Sequence, residues 1–174
     1  DALNYMGDEE RLAYDVYLEL YETSEAIQFY NIATNSETKH IDAIKQMLIK
    51  YDINTTELYN NDLEDLEAGV YANEHINDLY DELISKGVKT KQDALEVGCI
   101  VEVVDIDDLD LYIQYAQASD ADDVEGVFEF LREGSYNHYW AFDSALKSMG
   151  VNEGCCSAGE EYCKTTDEYP KNNN

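Results

Sequence analysis

A chain that keeps proline out of everything but its last few residues is free to run long helices, and the only proline here is Pro170. Proline breaks a helix because it has no N–H to donate and its ring collides with the preceding turn. Nine glycines fall mostly between long runs of apolar-periodic sequence. Few breakers and long periodic runs predict an all-α protein. At 174 residues the chain can build one domain with a sizeable core.

The periodicity predicts four main helices. The first runs from about Asp8 to Glu22, with Asp8, Glu9 and Glu10 suiting the positive end of the helix dipole. Glu10, Ala13, Tyr17 and Leu20 share one face. The second follows Ser24, a plausible N-cap, and extends to about Lys50. A polar stretch from Tyr51 to Asn73 leads into a shorter helix, Asn73 to Lys86, which Gly87 caps. The third main helix covers about Thr90 to Gln117, with Leu95, Cys99, Glu102, Ile106, Leu109 and Ile113 inward. Asp120 caps the fourth, about Ala121 to Met149, and Gly150 ends it. Its inner face reads Val124, Phe128, Leu131, Ser135, His138, Phe142, Ala145 and Met149.

Each of these helices carries polar residues on its apolar seam. Glu37 and His40 are three apart, one above the other on a face that also holds Phe29, Ile32, Ala33, Ala43, Ile44 and Met47. Glu102 interrupts an otherwise apolar run from Ile100 to Val104, and Asp105 follows it by one turn. His138 is centred on the fourth stripe. A buried carboxylate or imidazole is costly unless something pairs it. Taken singly, each has a bland reading: an ordinary first-turn acid, a surface Glu, a hydrogen-bonded core His. Taken in order, Glu10, then Glu37 with His40, then Glu102, then His138 follows the chain order of a ferritin-like dimetal site. The stretch between helices two and three, with its short extra helix, corresponds to the long crossover of that four-helix bundle. One departure stands out: position 135, three before His138, is Ser where a Glu belongs. Asp105 could supply the missing oxygen, or the site holds one ion, an asymmetric pair or none. Glu133 faces about 140° away from His138 and is not enlisted. Carboxylates with imidazoles suit iron or manganese, one ion or two.

The charge narrows the partners. Thirty-nine acidic residues against 11 basic give a net charge of −28. Nucleic acid and anionic membrane are poor partners for such a surface, whereas metal cations are good ones. No apolar run reaches the roughly 18 residues of a membrane span. A chain that opens on Asp1 fits a processed one whose signal peptide has been removed. The cysteines Cys99, Cys155, Cys156 and Cys163 are all disulfide candidates, with three pairings open. Disulfides and a processed start point to an extracellular or otherwise secreted protein. A thiolate metal site in the tail is less supported, because a second Cys-x-x-Cys or a His is missing. Cys99, one turn before Glu102, reads first as a small buried thiol.

Several stretches together resemble a known family. They are Glu9 to Tyr17; Phe29 to Ala33 with Ser36, Glu37 and His40; Leu79 to Leu83; Asp93 to Gly98 with Val101 to Ile106; and Gly134 to His138 with Ala141 and Phe142. They look like an uncharacterised ferritin-like domain family of bacteria and archaea, a domain of unknown function within the ferritin and rubrerythrin-like superfamily. The resemblance covers about residues 8 to 150. It implies a four-helix ferritin-like bundle and supplies no known reaction.

The expected organisation is a bundle over residues 1–150 and a cysteine-containing tail over 151–174, packed on the bundle and disordered at its end. The expected function is that of a metal-binding ferritin-like protein, with an oxygen- or peroxide-reactive iron or manganese centre of the oxidoreductase type. Glu10, Glu37, His40, Glu102 and His138 are its ligands and Asp105 an auxiliary one. The alternative is a non-enzymatic, secreted, acidic structural or interaction module on the same scaffold. A homo-oligomeric storage cage ranks last, since nothing in the sequence specifies a closed shell.

Overall fold

The computed structural model describes residues 2–171, and every regular element in them is helical. The long helices are α1 (Ala2–Ser24), α6 (Lys91–Ala118) and α7 (Asp122–Ser148). A fourth rod is composite: α2 (Ile27–Ile32), a π-helical segment (Ala33–Glu37) and α3 (Thr38–Lys50) follow without a break. Between α3 and α6 lie α4 (Glu57–Asn60), a 3-10 turn (Leu63–Asp65) and α5 (Glu74–Gly87).

Several ends are set by local chemistry. Asn73 accepts from His75 N at 2.9 Å to start α5, and Thr90 accepts from Asp93 N at 3.0 Å to start α6. At the end of α7, Gly150 takes φ +94° and Val151 N returns to Leu146 O at 3.1 Å.

Other ends differ from the sequence reading. The first helix begins at Ala2 rather than Asp8, because Leu3 and Met6 continue its apolar face into a cluster with Ile44, Leu48 and Leu58. Asp8, Glu9 and Glu10 are therefore mid-helical and buried, away from the dipole's positive end. Ser24 closes α1, donating to Leu20 O at 2.6 Å, and Ala26 stands at the start of α2. Asp120 turns the chain at φ +52°, and Ala121 occupies the position before α7. Gly87 is the last residue of α5 and serves packing, since a Cβ there would lie 2.7 Å from Leu20 Cδ2. Met149, read as inward, is exposed beyond the helix end.

The apolar interior falls into two clusters. One surrounds Tyr17, Phe29 and Phe142, whose ring centroids stand 5.0 to 5.5 Å apart. The other gathers Met6, Ile44, Leu48, Leu109, Phe128 and Leu131. On α1, the composite rod and α7 a group of buried polar residues separates the two clusters, whereas on α6 Glu102 and Asp105 lie among Val101, Val103 and Ile106 of the first. Glu9 and Glu10 fall between Met6 and Leu12, Glu37 and His40 between Ala33 and Ile41, Glu102 and Asp105 before Leu109, and Ser135 and His138 between Leu131 and Tyr139.

The tail after α7 packs against α6 and α7 through one disulfide and ring contacts, and a second disulfide closes the tail on itself. Cys99 pairs with Cys155 and Cys156 with Cys163, so Cys99 is an anchor rather than a free buried thiol. Cys155 N donates to Asp143 Oδ1 at 3.1 Å, and Trp140 Nε1 donates to Tyr169 O at 2.9 Å. Lys171 Nζ lies 4.1 Å over the Trp140 ring. Residues 172–174, expected as a disordered end, lie outside the described residues.

Two glycines on packed and open helix faces give opposite expectations. A Cβ at Gly98 would lie 2.7 Å from three ring atoms of Phe142, inside the aromatic cluster. Gly98→Ala should destabilise by about 1–3 kcal/mol despite the better helix former. Gly126 of α7 meets nothing within 4 Å, and Gly126→Ala should stabilise by roughly 0.5–1 kcal/mol. Denaturant unfolding of the two variants measures both, and a stabilised Gly98→Ala would contradict the packing described.

Candidate metal centre

Five side chains from the four rods converge in the polar layer. Glu10 comes from α1, Glu37 from the last position of the π segment, His40 from the first turn of α3, Glu102 from the middle of α6 and His138 from α7. All five are buried. Glu37 lies at the middle. Its Oε2 is 3.1 Å from His40 Nδ1 and its Oε1 is 3.1 Å from His138 Nδ1. On the outer sides, Glu10 Oε2 is 3.0 Å from His40 Nδ1 and Glu102 Oε1 is 3.4 Å from His138 Nδ1. The imidazoles lie side by side, centroids 5.5 Å apart and planes 30° off parallel.

The geometry divides into two groups that share one carboxylate. Within Glu10, Glu37 and His40, and again within Glu37, Glu102 and His138, one donor atom per residue lies within 4.8 Å of the others. Both histidines turn Nδ1 to the middle. Some donor capacity there is unspent: Glu10 Oε1 and His138 Nδ1 are buried without a hydrogen-bond partner among the described residues. His138 Nδ1 is close to Glu37 but off the line of a hydrogen bond.

Burial and charge pull these groups apart in pKa. Burial raises Glu10 and the attraction of His40 only partly offsets it, leaving its carboxyl at about 7. Burial also works against ionised Glu37, but His138 and His40 outweigh it and hold its carboxyl below the usual carboxylate range. Desolvation disfavours the His138 imidazolium, yet Glu102 and Glu37 carry it up to about 10. His40 is raised for the same reason, against burial, by Glu10 and Glu37.

A second ring of contacts sets the orientation of the five. Tyr17, inside the aromatic cluster, donates its hydroxyl to Glu102 Oε1. Ser36, next to Glu37 in the π segment, lies 2.7 Å from His138 Nε2 and so fixes which ring nitrogen faces inward. A π segment widens one turn by a residue, and such turns recur at functional sites. Here it supplies two neighbouring residues, Ser36 and Glu37, to the same imidazole.

Of the six residues expected as ligands, the structure brings together Glu10, Glu37, His40, Glu102 and His138. Asp105 is buried nearby but belongs to neither three-residue group. Its Oδ2 accepts from Ser135 at 2.6 Å, the residue standing where a Glu was expected. Sequence reasoning missed Glu9. Both its carboxylate oxygens are buried without partners among the described residues, and burial together with Asp105 and Asp108 pushes its carboxyl well above the usual range. The signal was present: Leu3 and Met6 carry the apolar spacing upstream, which removes the reason to read Glu9 as a helix start. Gly134 was also missed as a site residue, although a Cβ there would collide with the His40 ring.

A helical protein whose four rods deliver three carboxylates and two imidazoles to one buried point is, by class, a candidate metal-binding protein. The chain belongs to the family described as Uncharacterized protein domain (DUF2202), which matches residues 1–158. It is 40% identical over 152 residues to the uncharacterized protein MJ0754 of Methanocaldococcus jannaschii, covering 87% of this chain and 77% of that protein. The crystal structure of hypothetical protein MJ0754 from the same organism, there named Methanococcus jannaschii, aligns with a TM-score of 0.78 at 38% identity. That alignment covers 95% of this chain and 91% of the other. It supports the helical architecture described above.

The pKa shifts set a direction for the metal-free chain. Glu10 titrates at about 7 in the fold against 4.5 for the free group, and His138 at about 10 against 6.5. Both are raised by folding, so their contribution is whole below the free values and is lost as pH climbs through the folded ones. Glu37 is lowered, so its contribution is lost only on acidification. The unfolding temperature in chelator should therefore fall from about pH 6 to about pH 9, followed by circular dichroism. A profile that rises across that interval would refute the ion-pair arrangement.

Proposed function

We propose that the chain is a ferritin-like, four-helix metal-binding protein whose polar layer holds iron or manganese, with a centre reactive towards oxygen or peroxide. The observation that carries this reading is the sharing of Glu37 between two Glu–Glu–His groups. A carboxylate with one oxygen toward each imidazole is a donor that both groups would share. The donor set also fits: three carboxylates offset most of the charge of two divalent cations, and the two Nδ1 atoms add a borderline ligand to each group. Glu10 Oε1, buried without a hydrogen-bond partner among the described residues, would be a further donor.

Glu10 and His40 would hold one ion and Glu102 and His138 the other, with Glu37 common to both. A bound iron or manganese ion supplies the one-electron chemistry that protein side chains lack. The chain's own residues do the rest. Tyr17 holds Glu102 by its hydroxyl and Ser36 holds the His138 ring by Nε2. Ser135 of α7 donates to Asp105 Oδ2 and leaves the other oxygen, Oδ1, buried without a hydrogen-bond partner among the described residues. The apolar clusters on either side keep water out of the layer.

A second reading has one observation in its favour. The four His–Glu contacts of 3.0 to 3.4 Å already pair the charges of the metal-free layer. On that reading the chain is a non-enzymatic acidic module on the same scaffold. For location we propose an oxidising, extracellular setting, supported by the two disulfides. None of the described helices is long and apolar enough to cross a membrane.

Elemental analysis of the purified full chain separates the readings. Two ions of iron or manganese per chain are expected, Glu37→Ala should lose both, and Glu102→Ala should keep one. Tyr17→Phe should retain the ions with affinity weaker by about 10–100-fold, since it removes only a supporting contact. A chain that binds no metal and melts at the same temperature with and without chelator would favour the second reading.

A further inference from the structure

Glu9 is buried against acids that no base neutralises. It is 2% exposed, and both of its carboxylate oxygens lack a hydrogen-bond partner among the described residues. Its helix, α1, packs against α6. Asp105 and Asp108 stand three apart on α6, on one face, and after burial itself they act on Glu9 more strongly than any other group.

Two hydroxyls orient these acids. Ser135 donates to Asp105 Oδ2 at 2.6 Å, and Tyr5, one turn before Glu9 on α1, donates to Asp108 Oδ2 at 3.0 Å. Asp105, 5% exposed, is left with Oδ1 buried and without a partner among the described residues. Glu10, Glu37 and Glu102 have imidazoles beside them. Among the described residues no Lys, Arg or His pairs with Glu9, Asp105 or Asp108. Asp108 and Tyr5 are half-buried, which puts this set at the edge of the polar layer.

A proton alone does not resolve the arrangement. One proton on Glu9 joins at most two of the three partnerless oxygens, Glu9 Oε1, Glu9 Oε2 and Asp105 Oδ1, and leaves both aspartates charged. A buried charge without a partner is costly. A divalent cation meets several oxygens at once and offsets most of the charge of three carboxylates.

We infer that Glu9, Asp105 and Asp108 form a cation site separate from the Glu37 cluster, which takes a hard divalent ion of the size of Ca(II). The donors are oxygens only, which suits a hard ion. They stand wider apart than those of the centre and do not make a third group within 4.8 Å. Mg(II) needs close, near-octahedral ligands, whereas Ca(II) accepts a larger and irregular oxygen shell. The site stands on these residues and not on the iron or manganese reading.

Tb(III), an ion of calcium's size whose emission is excited through nearby tyrosines, is the probe, titrated into the full chain at physiological ionic strength to screen the surface acids. Tyr5 and Tyr112, with ring centroids 5.7 Å apart, would excite it. One site per chain should fill first, and Ca(II) should displace the probe where Mg(II) does not. Glu9→Gln and Asp105→Asn should each weaken binding at least about tenfold. Asp107→Asn, which removes the same charge from an exposed position of α6, should leave it unchanged. Melting in chelator checks folding: Glu9→Gln should melt no lower than the wild type, because it removes an unpaired buried acid. Ca(II) should raise the melting temperature of the wild type and not of Glu9→Gln. Equal weakening by Asp107→Asn would mean diffuse attraction, and a wild type indifferent to Ca(II) would mean that protons suffice; either overturns the site. Glu37→Gln should keep the calcium response, and its loss there would assign the ion to the Glu37 cluster and overturn the inference. A chain that binds Ca(II) through Glu9 but takes up no iron or manganese keeps this site and loses only the reading of the centre.

Discussion

Burying five ionisable groups at one level of a helical protein is the constraint to which the rest of the structure answers. Each group alone would lose several kcal/mol of hydration on leaving water. Together they are compensated, because the two imidazoles interleave with the three carboxylates and Glu37 contacts both rings. The alternation explains why the shifts differ in sign among chemically equal groups. Glu37, between two imidazoles, is driven down, whereas burial prevails at Glu10, beside only one, and raises its carboxyl to about 7. Burial and the neighbouring acids push Asp105 up as well.

The backbone is adjusted to that layer in two places. The second rod adopts a π turn where Ser36 and Glu37 must both reach inward. On the facing rod, Gly134 removes the side chain that would occupy the place of the His40 ring. Both adjustments are costly in helix terms: a widened turn has poorer geometry, and a mid-helix glycine lowers stability by about 1 kcal/mol relative to alanine. They lie at the level of the candidate centre. Packing alone explains Gly98, which touches only Phe142; it does not explain Gly134, whose nearest neighbour is an imidazole.

The tail and the two apolar clusters hold this layer in place. Cys99, one turn before Glu102 on α6, is fixed through Cys155 to the segment that lies across α6 and α7. Asp143 of α7 receives the Cys155 N–H, so the bridge and the hydrogen bond join the same two helices. Tyr17 links the aromatic cluster to Glu102, making one ring part of both the apolar interior and the polar layer. The structural match to hypothetical protein MJ0754 supports the helical architecture.

The helical class, the four long rods and the five residues that meet in the polar layer were legible in the amino acids, because a 3.6-residue period is local and shows which residues share a face. Glu102 within Ile100 to Val104 and His138 within its apolar stripe were visible for that reason. Glu9 was not, because an acid next to an acid reads as a helix start until Leu3 and Met6 are known to be packed. The π turn has no mark in the sequence, and neither does the hydrogen bond that Ser135 gives to Asp105. The pairing of Cys99 with Cys155 was one of three choices. Periodicity assigns residues to faces, but it does not set how far each rod is rotated or slid against its neighbours. Which oxygen meets which nitrogen, and which thiol meets which, depends on those offsets, and only the packed chain decides them.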